Sequence, residues 1–391
     1  MVLPIGDAPN PRGVPAVTYL LIAANVAVYL FVTVPLGAER PQPSDPLLAE
    51  YLQMVSRSVG AHVPAAVLRQ QVSAYDLFVY AHGFRPDAPS AVALLLSMFL
   101  HAGLLHLAGN MLFLWIHGDN VEQRLGAPGY LATYLGTGIV ATLAHWAGAQ
   151  GSSMPVVGAS GAISGVLGCY FLWFPRNVVR LLWFFPPFIG QVMEVPARIV
   201  LGFYVVADNV LPYLLSRGGE GGVAHGAHIG GFVAGVAIAW LVDRRAHGAG
   251  RRPAGLGATN GSPGDLVDAG RYADATAAYL ALPSAATRRV LTPVQALALA
   301  AWLRNEGHAD GAAIVLRRLV RDGADEPALA RAHLALGLVL LEDLDQATPA
   351  YQHLLTALDL DADPATVAAA REALAAIAAR QKRSLGWTGP R

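Results

Sequence analysis

Ser160 lies in GASGAISGVLG (residues 158–168) and His228 lies 68 positions on, in AHIGGFVAG (residues 227–235), in stretches free of charged side chains. A hydroxyl is a weak nucleophile until a base within hydrogen-bond reach takes its proton, and an imidazole with an unperturbed pKa of about 6.5 suits that task. A tetrahedral intermediate also needs donors for its oxyanion. His106 and Asn110, four residues apart and so on one helix face, offer two; the Ser160 backbone N–H, at a helix start where such groups lack partners, offers a third. The chemistry within reach of this set is acyl transfer by a serine hydrolase.

The elements that must hold these residues are membrane helices. Of the 391 residues, 54% are hydrophobic and 14% charged, with a mean hydropathy of +0.43, too apolar for an ordinary soluble chain. Residues 1–250 hold 24 Asp, Glu, Lys and Arg and the last 141 hold 30, which implies two solvents. A formal net charge of zero, with no arginine cluster among aromatics, excludes a nucleic-acid surface. The single cysteine, Cys169, is read as a small core residue. His101 and His106, five apart, fall on different parts of a helix with no Cys or carboxylate to complete a site, so no metal or cofactor is expected.

Six helices are expected, at about 13–38, 104–118, 129–148, 160–174, 196–216 and 227–242. The apolar segment 178–193 is shorter and holds a proline pair, which places it at the membrane interface. Arginine placement puts both termini in the cytoplasm. Ser160, His228, His106 and Asn110 then share a shallow depth near the outer surface. His228, Gly231 and Gly235 fall at i, i+3 and i+7 on one face, and Ser160, Ser164 and Gly168 form a facing stripe with Gly161 and Gly165 beside it. Small residues at this spacing let membrane helices approach backbone to backbone. Asp208 in the fifth helix is expected to face the bundle interior, with help to His228 left open, and Glu122 and Arg124 to brace the inner loop.

FLHAGLLHLAGNMLFLWIHGDNVEQRLG (residues 99–126), GASGAISG and AHIGGFVAG resemble, in order, three signature segments of the rhomboid intramembrane serine proteases. The resemblance covers about residues 95–245. It implies an all-α, polytopic six-helix bundle in which Ser160 is the nucleophile, His228 the base, and His106 and Asn110 the oxyanion pair. It also implies cleavage of transmembrane substrate proteins near the outer membrane surface, without metal or cofactor. The rival reading is a silent relative that binds membrane proteins in quality control. Many members carry an aromatic four residues after the nucleophile, packed on the base; here that position is Ser164.

The expected domains are a tail (1–13), the membrane bundle (14–245), a Gly- and Pro-rich linker (246–264) and a soluble helical domain (265–391). Similar stretches begin at Gly270, Gly307 and Asp343, spacings of 37 and 36, a period similar to that of tetratricopeptide helix hairpins. Two readings fit that domain: a groove for a protein partner or substrate tail, or a solubilising or dimerising module.

Overall fold

The computed structural model describes residues 2–11, 13–59, 65–185, 190–215, 224–248, 261–282, 287, 290–360 and 362–384. Residues 249–260 of the expected linker, the Pro186–Pro187 pair and Arg217 lie outside the described residues. The chain forms two compact units. One holds Met1–Gly6, Val14–Pro175 and Val179–Ala239; the other holds Asp7–Gly13, Arg176–Val178 and Trp240–Arg391.

The first unit begins not as a bare tail but with a strand, β1 (Val2–Ala8). Helix α1 (Ala16–Ala38) follows, with a mean hydropathy of 2.1. Buried Glu122 caps it: the carboxylate accepts from the backbone N–H of Val17 and Thr18 (2.9 and 2.8 Å) and from the Thr18 hydroxyl (2.8 Å). Two backbone donors that a helix start leaves unpaired, and the Thr18 hydroxyl beside them, are thereby satisfied. The long first loop carries α2 (Pro46–Val59), α3 (Ala65–Gln71), α4 (Ala74–His82) and α5 (Ala91–Phe99).

Helix α6 (Leu104–Gly148) is two helices in succession. Gly126 adopts φ 69°, which ends the first, and Pro128 sits where the next can start without its N–H. Helix α7 (Ser160–Trp173) has only 14 residues, about 21 Å at helical rise, and residues 161–170 are all buried. The apolar segment after it forms strands β2 (Val178–Trp183) and β3 (Val192–Pro196), in a sheet of order β1-β2-β3. Its valines, leucines and Trp183 suit a pleated, half-buried surface.

Helix α8 (Ala197–Leu215) and residues 225–239 of α9 (His225–Gly248) complete the unit. Each of the six stretches read as spans holds a helix, at 16–38, 104–118, 129–148, 160–173, 197–215 and 227–242. Among the described residues, α1, α8 and residues 225–244 of α9 are individually long and apolar enough to cross a membrane. The α5–α6 pair passes the same test only when taken together, across a bend of 89°. The fold is that of a helical membrane protein with a small sheet beside it.

Helices α7 and α9 meet backbone to backbone. A Cβ on Gly231 would overlap the Gly161 carbonyl oxygen, one on Gly235 that of Gly165, and one on Gly168 that of Phe232. The contact therefore runs along Gly161, Gly165 and Gly168 rather than the expected Ser160–Ser164–Gly168 stripe. Ser164 is turned away because its hydroxyl bonds Tyr204 on α8, at 2.7 Å. Cys169 is buried and donates to the Gly235 carbonyl at 3.2 Å.

The second unit contains α10 (Pro263–Asp268), α11 (Tyr272–Ala281), α12 (Pro293–Asn305), α13 (Ala309–Asp322), α14 (Glu326–Leu338), α15 (Ala347–Asp359) and α16 (Pro364–Ser384), around one core rich in Leu and Ala. The sequence period has a backbone counterpart. Gly270, Gly307 and Asp345, with φ 71°, 79° and 53°, each stand two residues before α11, α13 or α15. The next N–H bonds back to an earlier carbonyl: Arg271 to Leu266 in α10, His308 to Leu303 in α12, and Gln346 to Leu340 in the π turn Val339–Asp343 that follows α14. A left-handed residue thus ends α10, α12 and the π turn after α14, with a bond spanning five residues in the first two and six in the third. Within the same unit Arg176 pairs with Asp359 at 2.8 Å, and Pro9 O accepts from Thr348 Oγ1 at 3.2 Å.

Candidate active site

Ser160 opens α7 because of the residue two before it. Gly158 has φ 125°, a region that L side chains rarely enter, and its N–H bonds the Ser97 carbonyl at 2.8 Å. The turn needs glycine for space as well. A Cβ there would lie 2.8 Å from His106 Cε1, 2.9 Å from His106 Nε2 and 3.7 Å from Ser160 Oγ. His106 and Ser160 thus flank one small space that only a glycine leaves open.

The glycine contact between α7 and α9 carries His228 to the serine. His228 Nε2 lies 2.8 Å from Ser160 Oγ, within range for an O–H···N bond. Asn110, also buried, donates from Nδ2 to its own helix's His106 carbonyl at 2.9 Å. The structure therefore brings Ser160, His228 and His106 together, with Asn110 one turn further along α6. Gly231, Gly235 and Gly168 form the helix contact, and Ser164 reaches α8 instead.

His228 has two neighbours that sequence reasoning missed, both on α8. Asn209 is buried, and its Oδ1 lies 2.7 Å from His228 Nδ1 while its Nδ2 donates to the Tyr204 carbonyl at 2.8 Å. The Tyr204 ring lies 6.4 Å from the His228 ring, tilted by 33°. An aromatic beside the base is thus present; it comes from α8 and is pinned by Ser164, not carried at position 164. Asp208 is exposed, contrary to the expectation that it faces the interior, because its neighbour Asn209 takes the inward position.

His101 and His117 have structural surroundings. His101 is buried with its ring 5.1 Å from that of His106, edge to face, which corrects the expectation that the two are separated along a helix. The backbone between them turns at Gly103, before α6 begins, so helical spacing does not apply. Tyr75 OH donates to the His101 carbonyl at 2.9 Å and accepts from its N–H at 3.1 Å. His117 is buried with Nδ1 3.1 Å from the Phe113 carbonyl. The Arg124 guanidinium lies 4.7 Å above the Trp173 ring. Among the described residues no group of three His, Cys, Asp or Glu is placed to hold a metal ion.

The family model of the Rhomboid domain matches residues 89–245. The mitochondrial rhomboid protein 1 of Saccharomyces cerevisiae is 31% identical over 160 residues, 40% of this chain and 43% of that protein. The chloroplastic rhomboid-like protein 11 of Arabidopsis thaliana is 29% identical over 179 residues, 43% of this chain and 57% of its own length. The rhomboid protease GluP of Bacillus subtilis is 36% identical over 145 residues, 37% of this chain and 25% of that protein. The matched part therefore spans 25% to 57% of these relatives' length. The matched region holds the Ser160–His228 pair, and by that match and these relatives residues 89–245 form a rhomboid domain.

Proposed function

We propose that the protein is an intramembrane serine endopeptidase that hydrolyses peptide bonds of transmembrane substrate proteins near the outer membrane surface, by a Ser160–His228 dyad. The observation that carries this reading is the 2.8 Å contact between Ser160 Oγ and His228 Nε2. It sits at the end of a buried helix too short to cross about 30 Å of hydrocarbon. A nucleophile at the end of a short, enclosed helix lies below the membrane surface, where a substrate helix can be met.

As Ser160 Oγ attacks the peptide carbonyl carbon, its proton passes to His228 Nε2 and the carbonyl electron pair moves onto oxygen. The Ser160 N–H and His106 supply donors to that oxyanion. Asn110 Nδ2 carries two hydrogens; one goes to the His106 carbonyl and the second is assigned to the oxyanion. The His228 proton then moves to the leaving amine nitrogen as the C–N bond breaks. Water, deprotonated by the same Nε2, releases the acyl group. No metal or cofactor has a part in these steps.

The six apolar helical stretches act as spans in this reading, in the cytoplasmic membrane of a bacterium, with both termini cytoplasmic as the arginine distribution supports. The second unit is assigned as a tetratricopeptide-like domain offering a surface to a protein partner. The test is proteolysis in vesicles of defined lipid, with a single-span substrate. The wild-type protein cleaves it, and Ser160→Ala or His228→Ala falls below about 10⁻³ of that rate. Equal cleavage by Ser160→Ala overturns the proposal, and wild-type binding without cleavage points to the silent relative.

A further inference from the structure

We propose that Asn209 is a positioning residue that locks His228 in the tautomer able to receive the serine proton. The inference rests on the proteolytic reading above and deepens it from a dyad to a Ser160–His228–Asn209 relay of hydrogen bonds.

A neutral imidazole can serve Ser160 only if Nε2 is unprotonated, so the ring proton must sit on Nδ1. The atoms around Asn209 decide this without reference to any titration. Its Nδ2 faces the Tyr204 carbonyl at 2.8 Å, an acceptor with no hydrogen to give, so this end of the amide must be the NH₂. Its other end, facing His228 Nδ1 at 2.7 Å, must then be the carbonyl oxygen, which can only accept. Nδ1 therefore carries the hydrogen, and Nε2 presents its lone pair to Ser160 Oγ at 2.8 Å. When Nε2 takes the serine proton, the imidazolium keeps its Nδ1–H on the same oxygen.

The backbone is shaped for this placement. Helix α8 widens to a π turn at Val206–Val210, and Asn209 lies within it. Residues five apart do not share a face in an α-helix, but a wider π turn brings Tyr204 and Asn209 to one side. Ser164 ties Tyr204 to α7 through a 2.7 Å bond, so the carbonyl that orients the Asn209 amide is itself held by the nucleophile's helix. The Tyr204 ring beside His228 limits rotation of the imidazole about χ2. Asp208, one residue away and exposed, offers no such contact.

Three readouts on the full-length protein, with Ser160→Ala in parallel, test the proposal. Asn209→Leu, similar in size but without an acceptor, lowers kcat by roughly 10²-fold, less than the ~10⁴ lost when a buried carboxylate in this role is altered. KM stays unchanged. Asn209→Asp, which restores an acceptor, recovers to within about tenfold of wild type. In ¹⁵N spectra of histidine-labelled protein, His228 Nε2 is the unprotonated nitrogen in wild type and loses that preference in Asn209→Leu; a purely structural residue would not change the tautomer. Should Asn209→Leu lose its thermal transition, Asn209→Ala decides by the same kcat and spectrum. Wild-type kcat in the folded variant, or an unchanged tautomer, overturns the role of Asn209. If Ser160→Ala still cleaves, the proteolytic reading fails instead, and the two failures are distinct.

Discussion

The two units of this chain solve the same problem, packing helix on helix, with different residues. In the first, α7 and α9 touch through Gly161, Gly165, Gly231 and Gly235, carbonyl oxygens filling the places where side chains would stand. In the second, buried Leu299, Leu316, Leu336, Leu340 and Leu354, with alanines between them, make the contact. Lipid is as apolar as leucine, so membrane helices gain little by hiding side chains from it and associate through close backbone packing. In water, each buried leucine contributes roughly 1.5–3 kcal/mol by leaving solvent. The Ser160–His228 contact depends on the first solution, because a backbone contact fixes the spacing of the two residues with few rotamers in between.

The largest effect that could break this contrast is expected at Gly235. Gly235→Leu leaves its side chain nowhere to go but the Gly165 carbonyl, so the helices part and both proteolysis and the monodisperse solubilised species disappear. A folded, active Gly235→Leu would show that the backbone contact does not set the geometry. Leu336→Ala in the second unit should cost about 2–5 kcal/mol. It should speed hydrogen exchange across residues 326–359 while leaving exchange around Ser160 as it was.

Smaller still is Glu122→Ala, which strips the cap from α1 and leaves the Val17 and Thr18 donors unpaired. The expected loss is about 1–3 kcal/mol, seen as a lower melting temperature of the detergent-solubilised protein. An unchanged transition would mean that water replaces the carboxylate. The gentlest prediction concerns pH. Burial, and after it the nearby Arg176, push His333 down to about 4. The folded state therefore holds His333 neutral where the unfolded chain, near 6.5, binds a proton. The stability of the second unit should fall as pH drops from about 6.5 toward 4, and exchange in α14 should report it. His333→Leu should flatten that dependence; an identical slope in the variant would assign it to other groups.

Much of the site was legible from residue types. The Ser160–His228 pair, the helix starting at Ser160 and the glycines of α9 follow from spacing, because small residues and polar groups in an apolar run have few roles. The break in α6 is signalled by Gly126 and Pro128. Asn209 and Tyr204 were not legible, since helical spacing of 3.6 residues separates positions five apart and the π turn that reunites them has no residue signature. Asp208 drew attention as an acid in an apolar helix, and it is the wrong neighbour by one position. The β-strands at Val178–Trp183 and Val192–Pro196 were hidden because a short apolar run fits an interfacial segment as well as a strand. The departure at position 164 was visible, but its compensation by an aromatic from another helix depends on tertiary packing.

The central claim is that Ser160 is a nucleophile activated by His228. Incubating the reconstituted protein with a small serine-reactive phosphonate and mapping the adduct by peptide mass tests it most directly. One adduct per chain is expected on Ser160, greatly slowed in His228→Ala and missing in Ser160→Ala. Equal labelling of the wild-type and Ser160→Ala proteins, or an adduct on another residue, would contradict it.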